Sequence, residues 1–128
     1  MSTHLSPLVD KARRAADALV AAIGGNSAVV ISTADGFDLA HAGDRASEPA
    51  RLAAMMSSFA AVGAAASQEA DIGLPRCMVV ESTQGRLVVR CLQLGGEPIV
   101  IMLLTDKSVL LGLAWNQLCA IERSLNAA

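Results

Sequence analysis

Tyrosine is absent from this chain of 128 residues, and its aromatic side chains are Phe37, Phe59 and Trp115 alone. So few ring faces offer little on which bases could stack. Lysine is almost as rare, at Lys11 and Lys107, and the arginines are scattered within a net charge of −2. Without a basic run to neutralise phosphates, nucleic acid is not expected as a partner. Histidine occurs only at His4 and His41, too few and too isolated for a metal cluster, so neither metal nor cofactor is expected. The cysteines, Cys77, Cys91 and Cys119, are odd in number and form no CxxC pair. They read as reduced, buried thiols of a cytoplasmic protein. Gly24-Gly25-Asn26 lacks the Lys-Ser of a phosphate loop and reads as a helix stop. Met1 to Lys11 lacks a basic start followed by an apolar core, so no signal peptide is expected. No run offers the ~20 large apolar residues of a membrane span, and no membrane insertion is expected.

Apolar residues, by contrast, are abundant. The chain is 53% hydrophobic and only 17% charged, with a mean hydropathy of +0.47. A small monomer, with its large surface-to-volume ratio, needs more polar cover than that. Part of this apolar surface is therefore expected to be buried by another chain. The length suits one domain over 1–128.

Periodicity supplies the elements. Ser6-Pro7 reads as an N-cap and first helical position, followed by Leu8, Ala12, Ala15, Ala16, Leu19 and Ile23 at helical spacing. A β-branched run from Ala28, a tight type I′ turn at Asp35-Gly36 and a returning strand from Phe37 to His41 make a hairpin. Ala42 to Glu48 is a polar connection. A second helix spans Pro49 to about Gln68, its inner stripe read as Leu52, Met55, Met56, Phe59, Val62 and Gly63. After a turn at Asp71 to Pro75 come strands from Cys77 to Ser82, Arg86 to Gln93 and Pro98 to Leu104, with turns at Gln84-Gly85 and Gly95-Gly96. The last strand is apolar on both faces and belongs at the sheet centre. Ser108 reads as the N-cap of a final helix from about Val109 to Asn126, with Leu110, Leu113, Ala114, Leu118, Ile121 and Leu125 inward. The order α-β-β-α-β-β-β-α fits an α/β (α+β) domain, a five-stranded antiparallel sheet with helices on both faces.

The second helix carries no charge from Leu52 to Gln68, where an ordinary surface helix would be charged outward. Its outward residues, Ala54, Ser57, Ser58, Ala61, Ala65 and Gln68, are small enough for another helix to approach. A helix buried within its own domain is the alternative, but few elements remain to cover it. The strand Cys77-Met78-Val79-Val80 lacks the charge that blunts an exposed edge and, if at an edge, invites pairing with its own copy. These ten residues are the candidate interface. His41 near Asp38 could act as a base, but no nucleophile is signalled beside it and a surface role is simpler. Glu81 and Arg90 could form a weak surface pair. Nothing amounts to an active site, and no enzymatic activity is expected.

Several features together resemble the Roadblock/LC7 family. They are the run Ala28 to Thr33 into Ala34-Asp35-Gly36-Phe37, the Ala/Ser/Met helix after Glu48, the hairpin from Met78-Val79-Val80-Glu81 to Leu87-Val88-Val89, and Leu110-Leu111-Gly112-Leu113. The resemblance covers nearly the whole chain and implies a profilin-like architecture. It also implies a homodimer formed by antiparallel pairing of the two Cys77 to Ser82 edges, with the central helices side by side. Members of the family are platforms for small Ras-like GTPases, GTPase-activating regulators in bacteria, or light-chain and scaffold subunits. The leading expectation is a cytoplasmic GTPase-regulating module. A scaffold or hetero-dimer subunit, or a ligand-sensing domain, is the alternative. With the chain ending at Ala128, activation that relies on a longer tail is not expected. Arg51 and Arg76 lie at element ends with nothing to hold them, so no arginine finger is expected.

Overall fold

The computed structural model describes residues 6–24, 26–44 and 48–126. The side chain of Ser6, Gly25 of the expected helix stop, and residues 45–47 of the polar connection lie outside the described set. The first helix, α1, spans Ser6–Ile23, and every residue of its expected stripe is buried. Gly24 closes it at φ 70°, its N–H donating to the Val20 carbonyl at 2.8 Å.

Strands β1 (Ala28–Thr33), β2 (Asp38–Ala42), β3 (Cys77–Glu81), β4 (Gly85–Leu94) and β5 (Glu97–Asp106) form one antiparallel sheet in the order β2-β1-β5-β4-β3. The doubly apolar β5 lies at its centre, and β3 lies at an edge. Gly95 and Gly96 both adopt positive φ, as a two-residue type I′ turn between twisted strands requires. The β1–β2 connection differs from expectation. Gly36 alone of the pair Asp35-Gly36 has positive φ, and the Gly36 N–H donates to the Thr33 carbonyl at 3.0 Å. The Thr33 hydroxyl donates to the Asp35 carboxylate, so this is a longer loop closed by a left-handed glycine. In the β3–β4 hairpin the Ser82 N–H donates to the Gly85 carbonyl. Thr83 and Gln84 make the turn there, and Gly85 already belongs to β4.

Helices lie on both faces. α1 and α3 (Leu111–Asn126) cover the side of Val29, Ile31, Val88, Ile101 and Leu103. Among the described residues, the helix α2 (Pro49–Glu69) alone covers Val30, Val89, Val100 and Met102. Its inner line is centred on Ala53 and Met56, with Leu52, Phe59 and Ala60 partly buried. Met55 and Val62, expected inside, point outward. Apolar residues surround this helix, so several phases fit the pattern. The bulky sheet surface beneath selects the small Ala53 for the closest approach. At 21 residues α2 also has the length and composition to cross a bilayer, contrary to the sequence reading; here it seats Ala53 and Met56 on the sheet.

The start of α3 is a second correction. β5 runs on to Asp106, whose carboxylate accepts the Ser108 N–H at 2.9 Å. The turn is thus closed before the helix begins at Leu111, and Ser108 is not its N-cap. Ala114, Leu118 and Leu125 set the inward phase, leaving Leu110 and Leu113 exposed.

Candidate functional site

Two of the expected surfaces adjoin. On the outside of α2, Ala54, Ser58, Ala61, Ala65 and Gln68 are exposed together. Ser57 is half-buried, its hydroxyl donating to the Ala34 carbonyl at 2.6 Å; it ties the helix to the β1–β2 loop and does not belong to the free face. In its place the sequence reading missed Met55, 54% exposed, and Val62, 67% exposed. This face therefore carries two large anchors, where small side chains alone were expected. The only available signal was that neither residue was needed to complete the stripe through Ala53 and Met56.

β3 pairs with β4, so the backbone groups of Cys77, Val79 and Glu81, which face away from β4, have no strand partner among the described residues. Val79 and Val80 are exposed, whereas Cys77 and Met78 are half-buried. Gly63 brings α2 close to this edge, since a Cβ there would lie 2.3 Å from the Met78 sulfur. Between α2 and the β3–β4 hairpin opens a groove of about 500 Å³. Met55, Met56, Phe59, Leu87 and Leu104 line its apolar part, with Val80 and Ser82 to Arg86 along the rim.

Glu81 pairs with Arg86, not with Arg90, and Arg86 also donates to the Val109 carbonyl. Arg90 is only 3% exposed, because its alternate position on β4 points it at α3. There it pairs with Glu122, lies 5.0 Å from the centre of the Trp115 ring and donates to the Arg76 carbonyl at 3.2 Å. Burial pushes the Cys77 and Cys91 thiols above their usual 9.0, with Arg90 pulling back. Both are therefore protonated and poorly nucleophilic near neutral pH. Cys119 is also a free thiol. His41 is exposed, 3.7 Å from Asp38. Among the described residues no group of three His, Cys, Asp or Glu could hold a metal. The arrangement offers surface for association.

No family model matches the sequence, and no curated protein matches it. Solved structures do. Myxococcus xanthus MglB superimposes with a TM-score of 0.79 at 16% identity, covering 90% of this chain and 91% of that one. A Roadblock/LC7 domain from Streptomyces avermitilis gives 0.76 at 20% identity, covering 87% and 91%. A structure described as MglB with tetrameric arrangement gives 0.75 at 21% identity, covering 94% and 88%. The chain has the Roadblock/LC7 fold.

Proposed function

From this fold and its uncovered helix, we propose that the chain is a cytoplasmic, non-enzymatic Roadblock/LC7 module that forms a homodimer and regulates a small Ras-like GTPase. The carrying observation is the exposed, uncharged outer face of α2 beside the unpaired edge of β3. Antiparallel pairing of two β3 strands satisfies their free backbone groups and joins two sheets into one. The two α2 helices then share a face, on which Met55 and Val62 each gain about 1.5–3 kcal/mol if fully buried. The likeness to MglB structures supports this reading.

Regulation acts by selecting one conformation of the GTPase, a population shift. An arginine finger needs a fixed geometry against transition-state charge. Arg51 meets Glu48 only in an exposed surface pair at 3.3 Å, which does not fix it, and Arg76 is exposed just before β3.

Light scattering at low micromolar concentration is expected to report twice 13.2 kDa. Ala61→Glu and Ala65→Glu each bury an unpaired charge, at a cost of about 3 kcal/mol or more, and are expected to lose assembly or GTPase binding with the fold intact. A monomeric parent, or glutamate variants that assemble and bind like the parent, would overturn the proposal. In single-turnover hydrolysis, Arg51→Ala and Arg76→Ala are expected to match the parent; a loss of ~10³-fold would assign an arginine finger instead. Equal co-purification with a different Roadblock-like chain would favour a hetero-dimeric scaffold.

A further inference from the structure

We propose that the groove between α2 and the β3–β4 hairpin is the seat for Ile72 and Leu74 of a second copy of this chain. The inference rests on the pairing of two copies through β3 and specifies what completes that interface.

Ile72 and Leu74 are 75% and 72% exposed, yet the loop that carries them is well fixed. Asp71 takes a left-handed φ of 59° and Gly73 one of 86°. The Asp71 N–H donates to the Gln68 carbonyl at 3.1 Å, and the Ile72 N–H to the Ser67 carbonyl at 3.0 Å. These are the paired closures of a Schellman motif, in which the residue at the position of Ile72 usually packs back on its own helix. Here the helix offers Ser67 at the receiving position, and Ile72 stays outside. Two branched apolar side chains are thus held out by a loop already ordered, which lowers the entropy cost of docking them.

Symmetry brings them to the groove. A two-fold axis through Val79, the middle of β3, sets Cys77 opposite Glu81 of the partner copy. The chain before Cys77 then runs past Ser82 toward the Thr83-Gln84 turn of that copy. Leu74 lies three residues before Cys77, about 10 Å at ~3.3 Å per residue, enough to reach the Thr83-Gln84 turn at the groove rim. An axis perpendicular to the sheet keeps both α2 helices on one side. The loop descends from α2, and the groove opens on that same side. Its apolar lining includes exposed Met55 and Val80, so both halves of the contact lack cover in the single chain. Charge agrees with this register: exposed Arg76 arrives opposite Ser82 of the partner copy, adjacent to its largely exposed Glu81. The two-fold repeats the contact, giving two seats per dimer.

The test is sedimentation equilibrium of the parent, of the loop variant Ile72→Ser/Leu74→Ser and of the groove variant Met55→Glu. All three changes are at exposed positions, and circular dichroism checks the fold. Each variant is expected to raise the dimer dissociation constant at least tenfold. An equimolar mixture of the two variants is expected to form hetero-dimers in excess of the statistical half, since that pairing alone restores one intact seat. A dimeric parent with unchanged loop-variant affinity, or a mixture that pairs only statistically, overturns this inference and leaves pairing through β3 standing. A parent that stays monomeric overturns both.

Discussion

Arg90 illustrates how a single position can escape a sequence reading. Glu81 and Arg90 looked like neighbours across a hairpin, but the register pairs Glu81 with Arg86 and Arg90 with Cys77. Alternation along β4 then turns Arg90 toward α3, where Glu122 and Trp115 receive it. No local pattern reveals a partner 32 residues away. Removing Glu122 leaves a buried guanidinium with its Nη1 donated to the Arg76 carbonyl and its Nε unpartnered among the described residues. Breaking a buried ion pair costs about 3–5 kcal/mol. Glu122→Ala is expected near the low end, because the Glu122 side chain is 26% exposed. Urea unfolding followed by fluorescence of Trp115 is expected to show a lower midpoint with an unchanged slope. Glu122→Gln, which keeps an acceptor, is expected to lose less. An unchanged midpoint for Glu122→Ala would show that the pair contributes little to folding.

Among elements, legibility followed the sharpness of the pattern. α1 was readable because its buried stripe is distinct from the charged residues beside it, and β5 because its run is apolar on both faces. α2 could be placed but not oriented, since apolar residues on all sides leave its phase to the sheet. The start of α3 was misplaced because a side-chain closure by Asp106 replaced the expected cap. The end of β2 yields a prediction at this scale. Gly43 sits at φ 89°, and a Cβ there would lie 2.3 Å from the Ser27 carbonyl oxygen and 2.8 Å from the Ala28 Cα. Backbone atoms of β1 and its approach cannot step aside as a side chain can. Gly24 has a similar left-handed φ of 70° but open space around it. Gly24→Ala is thus expected to cost about 1–2 kcal/mol, the conformational term alone, and Gly43→Ala well above that. Thermal or urea unfolding of the two variants tests the difference, and equal losses would refute the steric argument.

For the molecule as a whole, composition was the most informative signal: an excess of apolar residues over what one small chain can hide. The fold accounts for that excess in α2, the β3 edge and the Ile72–Leu74 loop. A face built of apolar and uncharged side chains gives a sequence no motif to display, which is why Met55, Val62 and the groove were missed while the uncharged helix was seen. If a second copy covers this surface, folding and assembly are linked, and the melting temperature is expected to rise with protein concentration. Differential scanning calorimetry from 1 to about 100 μM tests it, and a constant midpoint would count against assembly of the folded chain. The layers are also unequal, with two helices on one face of the sheet and α2 alone on the other. A lone helix held mainly by Ala53 and Met56 is the element positioned to detach first, ahead of global unfolding. Proteases act on such transiently opened segments in proportion to how often they open. If a second copy covers α2, a chain without one is expected to be cut there by proteases faster than a paired chain, which limited proteolysis across the same concentration range tests.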